Sequence, residues 1–163
     1  MNLDDIQIFH DSHNIQLRNP FGAVTIGTKV RIRIWTSKKC SVYINLINFY
    51  NNQVQMNEIG WNGYVNSWVY ENEIDTSNCF GLIYYYFRVN YCGRNILYGN
   101  NIESLGGEGQ TYFNDPKSYQ ITIYSNEKVP NWYKKGIIYQ IFVDRFFNGN
   151  KEGKVLNPKK NTF

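Results

Sequence analysis

The side chains able to do chemistry are few and scattered. Aspartates stand at Asp4-Asp5, Asp75 and Asp115, all in terminal or turn contexts, where an Asp side chain ordinarily bonds its own backbone. His10, Asp11 and His13 carry metal-binding groups. No further ligand follows at a matching spacing, so residues 10–14 read as a surface loop. Cys40, Cys79 and Cys92 are an odd number and contain no CxxC, which argues against a disulfide framework and a zinc site. Asp144-Arg145 is the best polar pair, and its expected role is to fix loop geometry through charge-assisted hydrogen bonds.

The other chemical signal is aromatic. Trp35, Trp61, Tyr64, Trp68 and Tyr70 could stack on the apolar face of a sugar ring. Trp61, Tyr64 and Trp68 are the candidate sugar-binding residues, since Trp61-Asn62-Gly63-Tyr64 reads as a loop or hairpin with amides close by. The competing expectation is that these aromatics pack in a core or against a neighbouring domain.

Such residues need elements to position them. At 163 residues the chain is one domain, or one domain and a fragment. Hydrophobic residues at 42% and charged residues at 18% describe a globular chain rather than a disordered one. The 17% aromatic content, mostly Tyr and Phe, suits strands. The net charge of +4 includes no dense basic run, and Arg31 and Arg33 alternate with apolar residues, so a nucleic-acid partner is not expected. No stretch is long enough to span a membrane. The acidic start, Met1-Asn2-Leu3-Asp4-Asp5, is unlike a signal peptide, so the default expectation is a cytoplasmic protein.

Short alternating runs dominate the first 125 residues. Residues 29–35 alternate most cleanly, with Val30, Ile32 and Ile34 on one face and Arg31, Arg33 and Trp35 on the other. Residues 6–9, 24–26, 41–47, 54–58, 68–74, 96–98 and 119–124 also read as strands. Residues 80–89 form the strongest apolar run and a central strand. Asn19-Pro20-Phe21-Gly22 is a turn, with Phe21 expected to plug one end. Leu105 is expected to anchor a Gly- and Asn-rich loop. The pattern predicts an all-β, immunoglobulin-like sandwich over residues 1–127, with residues 128–163 forming a linker and the start of another domain. In that second part Ile137 to Val143 reads as a strand buried on both faces, closed by Asn148-Gly149.

Residues Trp132, Lys134, Ile138, Tyr139, Gln140, Ile141, Phe142, Asp144, Arg145, Phe146, Asn148 and Gly149 together resemble the start of the catalytic barrel in the α-amylase family, glycoside hydrolase family 13, especially its neopullulanase and cyclomaltodextrinase branch. Val143 and Asn150 depart from that pattern, where proline and aspartate are usual. Phe9-His10-Asp11-Ser12, Pro20 to Val24, Tyr84 to Phe87, Tyr98 to Asn101 and Leu105 to Gly109 resemble, more loosely, the sandwich before that barrel. The resemblance implies a parent that hydrolyses α-glucosidic bonds in maltodextrin, cyclodextrin or pullulan, using two carboxylates about 5–5.5 Å apart. Those carboxylates lie on later barrel strands, so no catalytic residue is expected here. The resemblance places Asp144 and Arg145 at the end of the first barrel strand, as structural residues. It places Asn148 and Asn150 at positions that bind calcium in relatives. Asn150 lacks the charge and Lys151 and Lys154 follow, so no cofactor is expected in this chain. The implied partners are α-glucan oligosaccharides, the catalytic barrel and a second subunit in a homodimer. A free-standing carbohydrate-binding module and a purely structural dimerisation or interdomain module are the alternative readings.

Overall fold

The computed structural model describes residues 6–49, 52–125 and 130–142. The chain divides into two compact units, Met1–Asn126 and Glu127–Phe163. The first is a two-sheet β-sandwich, as the alternating runs predict. One sheet joins β1 (Ile8–Phe9), β4 (Lys29–Thr36), β8 (Ser67–Asp75) and β7 (Asn57–Asn62), with β2 (Arg18–Asn19) also on β4. The other joins β11 (Gln110–Tyr112), β10 (Arg94–Gly99), β9 (Gly81–Tyr91), β12 (Tyr119–Tyr124) and β3 (Val24–Thr25). On its far side β9 pairs β5 (Ser41–Ile47), which pairs β6 (Gln53–Gln55). The chain crosses between sheets from β4 to β5 and again from β8 to β9. This is the connectivity of immunoglobulin-type sandwiches.

Alternation decides which side chains meet between the sheets. Val30, Ile32 and Ile34 of β4 are fully buried, as are Tyr85, Phe87 and Val89 of β9. These residues belong to one continuous core cluster spanning both sheets. The central strand β9 serves two partners along one edge: β12 pairs Gly81 to Tyr85, and β10 pairs Phe87 to Tyr91. The β4 edge is likewise shared, between β1 at Trp35–Thr36 and β2 at Arg31–Ile32. Between its two contacts each edge is left by an excursion of chain, residues 10–17 in one case and 100–118 in the other.

The two excursions close on each other. The Ser12 amide donates to the Gly107 carbonyl (3.0 Å), and the Gly109 amide donates to the His10 carbonyl (3.1 Å). Residues 10–14 are therefore only in part the surface loop that their polarity suggests, with His13 exposed. His10 is fully buried and Ser12 nearly so, because the chain leaving β1 turns inward. His10 Nδ1 lies 2.6 Å from the Arg33 carbonyl, so it carries the hydrogen and donates. Nε2 is then the acceptor for the Tyr85 hydroxyl at 3.1 Å. The rings of Tyr85, Phe87 and Tyr119 meet the imidazole edge-on.

Three local expectations are corrected. Leu105 is 71% exposed and anchors nothing. Its loop is held by Asn100, whose Oδ1 accepts the Asn101 and Gly106 amides, and by Asn101, whose Nδ2 donates to the Gly106 carbonyl. Phe21 is half exposed, edge-on to His13, and is no plug. Residues 54–58 are not one strand: the chain passes buried Met56 between β6 and β7, which belong to different sheets.

In the second unit Asn131–Lys135 forms a short helix, α1, with Lys134 and Lys135 in its last turn, where cations favour the helix dipole. Residues 137–142 carry no strand. A parallel strand takes its form from hydrogen-bonded neighbours, and no described residue pairs with this run. No helix among the described residues is long and apolar enough to cross a membrane.

The buried imidazole makes stability depend on pH. Burial pushes the His10 pKa from 6.5 down to about 4, with the Arg33 carbonyl opposing in part. Tyr85, Phe87 and Tyr119 enclose it, and Arg18 and Asp11 are the charged groups acting on it. The unfolded chain protonates His10 first, so stability is complete above pH 6.5 and is lost as pH falls toward 4. Urea unfolding should show a loss of about 3 kcal/mol across that window, and His10→Gln should flatten the profile. At Gly109 a Cβ would overlap the Tyr119 hydroxyl and the Gly99 carbonyl. Gly109→Ala should destabilise the fold by about 3 kcal/mol in the same assay.

Candidate functional site

The candidate sugar-binding residues sit on one hairpin. Trp61 of β7 and Trp68 of β8 are direct cross-strand partners, with ring centroids 6.0 Å apart and edge to face. Tyr64 lies in the four-residue turn between them, over Gly63–Asn66, where the Asn62 Oδ1 accepts the Tyr64 amide. A β-bulge between Glu58 and Gly60 keeps the two tryptophans in register, with Gly60 at φ +125°. Trp61 is half exposed and Tyr64 fully exposed, whereas Trp68 is partly buried against the core.

The wider aromatic group does not form one platform. Tyr70 is buried, and its hydroxyl accepts the Cys40 amide at 2.9 Å. That burial raises its pKa to about 12, so it remains a neutral phenol. Trp35 points to the outer side of its sheet and stacks on Phe9 at 5.5 Å, an arrangement set by the Phe9–Trp35 strand pairing.

Two residues that the sequence did not single out complete the surface. The Lys39 ammonium lies 4.9 Å from the centre of the Trp68 ring and 2.7 Å from Glu58 Oε1. Lys39 and Glu58 are 19 positions apart, and only the crossover from the second sheet brings them together. Both line an open cleft of about 650 Å³, which Gln55, Asn57, Asn90 and Tyr70 also line. The arrangement therefore offers an exposed aromatic edge at Trp61 and, reached from Trp68 through Lys39, a cleft with several amides that Trp61, Tyr64 and Trp68 do not themselves line. Such a surface can hold a polyhydroxylated ligand by ring stacking and by hydrogen bonds to amides.

Several of the described carboxylates are engaged in ion pairs or turns. Glu58 pairs with Lys39, Glu71 with Arg33 and Arg31, and Glu73 with Lys29. Asp75 accepts from the Ser77 amide and hydroxyl, and Asp11 accepts the His13 amide. Among the described residues no three His, Cys, Asp or Glu side chains are grouped to hold a metal ion. Asp144, Arg145, Asn148 and Asn150 lie outside the described residues.

No family model matches the chain. Similarity to curated proteins is extensive along the chain. An amylopullulanase of Thermoanaerobacter thermohydrosulfuricus is 32% identical over 169 residues, covering 98% of this chain and 11% of that protein. An amylopullulanase of Thermoanaerobacterium thermosulfurigenes is 34% identical over 166 residues, covering 94% and 9%. A solved cyclomaltodextrinase aligns over 93% of this chain and 25% of its own, at 18% identity and a TM-score of 0.47. The chain thus spans about a tenth of the length of the curated relatives it matches. The fold and surface define a β-sandwich module. The matched relatives bear out its resemblance to the α-amylase family, glycoside hydrolase family 13.

The two tryptophans should separate in a stability test. Trp68→Ala should lower unfolding free energy by about 2 kcal/mol, because it removes a side chain packed on the core. Trp61→Ala should change it by less than about 1 kcal/mol in the same urea titration.

Proposed function

We propose that this chain is a non-catalytic sandwich of an α-amylase-family glycosidase acting on α-glucans such as maltodextrin, cyclodextrin or pullulan, and that it positions substrate. The Trp61–Trp68 cross-strand pair carries the reading, with Lys39 linking Trp68 to the amide-lined cleft. Trp61 supplies the exposed ring, and Trp68, held by the core and by Lys39, fixes it in place. Tyr64 extends the aromatic surface at the turn. The α-glucan assignment is supported by relatives named amylopullulanase. The free thiols of Cys40, Cys79 and Cys92 fit a reducing, cytoplasmic location.

A second reading, a module for packing against a catalytic domain or a second subunit, is favoured by the Phe9–Trp35 stack on the outer face of the first sheet. The two readings use opposite faces and can be separated.

Calorimetric titration of the purified chain with maltoheptaose should give saturable binding. Trp61→Ala should weaken it roughly tenfold, the scale of a lost aromatic contact of about 1.4 kcal/mol, while the melting temperature stays unchanged. Pullulan incubated with the chain alone should release no reducing sugar. Absence of binding at millimolar sugar would set the packing reading in front. Light scattering showing a dimer that Trp35→Ala dissociates would then support it.

A further inference from the structure

Arg18 has an unusual setting. Its residue is only 6% exposed, yet no described Asp or Glu forms an ion pair with it. Nη1 donates to the Gln120 carbonyl at 2.9 Å and Nη2 to the Gly22 carbonyl at 3.0 Å. Nε is buried without a partner. The neighbouring Tyr85 stays a neutral phenol, since burial raises its pKa. The Asp11 carboxylate is engaged by the His13 amide. Carbonyls and a phenol satisfy hydrogen bonds but do not neutralise a charge, and a buried charge without a counter-ion is costly.

The guanidinium lines a cavity of about 260 Å³ between the two excursions. Ser12, His13, Asn100, Gly106 and Thr122 share the lining, and no carboxylate does. The Tyr85 hydroxyl takes a further hydrogen bond from the guanidinium, so of its five N–H groups Nε–H and one terminal N–H remain beyond these bonds. The Ser12 Oγ accepts the Gly107 amide at 2.9 Å, which leaves its own hydrogen uncommitted among the described bonds. The volume suits a small acid or the tip of an acidic side chain rather than an oligosaccharide.

We propose that this cavity is a carboxylate-binding site, with the Arg18 guanidinium as the charged floor and the Ser12 hydroxyl as a second donor. The planar fork of arginine matches a carboxylate in geometry as well as in charge. The site is separate from the Trp61–Trp68 hairpin. The carboxylate is either that of a free small acid or one borne by a second copy of the chain, and one experiment distinguishes the two.

The Arg18 Nε–H signal of the labelled 163-residue chain would be followed by NMR in an acetate titration, with chloride at matched ionic strength as the control. The expected result is a saturable shift with acetate that chloride does not reproduce. A shift that grows with protein concentration in acetate-free buffer, and that acetate displaces, assigns the carboxylate to a second copy. Arg18→Gln should abolish any stabilisation by acetate in thermal melts. Because that variant can fail to fold, Ser12→Ala is the second, and it should weaken acetate binding severalfold. Arg31→Gln should behave as the parent. A shift that chloride reproduces equally, or no shift in either series, overturns the proposal.

Discussion

The structure depends on one buried polar contact, the imidazole of His10 between the Arg33 carbonyl and the Tyr85 hydroxyl. It joins β4 of one sheet to β9 of the other through hydrogen bonds in the buried interior. A wrong register of either strand would strand a buried donor or acceptor, at a penalty of about 1–3 kcal/mol each. Tyr98 and Tyr119 add hydroxyl contacts to the backbone of the same residue. Hydrophobic alternation brings the sheets together, and this polar knot specifies how they are aligned.

The same knot explains the glycine- and asparagine-rich stretch after β10. Gly109 lies where the Tyr98 and Tyr119 side chains and the Gly99 backbone converge, and a side chain has no space there. Asn100 and Asn101 turn the chain by capping amides rather than by burying apolar groups. On the first sheet, the β7–β8 hairpin extends past this machinery and is free to display tryptophan. Rigidity at the core and exposure at the hairpin are thus assigned to separate segments.

Much of this was legible in the sequence, for reasons that can be named. Val30, Ile32 and Ile34 alternate with Arg31, Arg33 and Trp35, and a period of two admits one reading. The run around Tyr84 to Val89 announced a central strand. His10 and Ser12 were not legible as buried, because polarity is a local property while their partners lie 23 to 95 positions away. The pairing of Trp61 with Trp68 follows from hairpin register, but the Lys39–Glu58 bridge depends on where two sheets meet. The barrel-strand pattern after Gly136 was clear as sequence, yet residues 137–142 are not a strand among the described residues, since a strand is a relation to neighbours and not a property of a segment alone.

The shared edge of β9 also bears on the order of assembly. The pairing of β9 with β10 is a local hairpin, whereas closure of the excursions joins Gly109 to His10, 99 positions away, and Tyr119 to His10, 109 positions away. Contacts of such long range form late, after loop entropy has been overcome by nearer ones. The imidazole knot is therefore a latch between the sheets: it can engage only once β4 and β9 have been brought face to face.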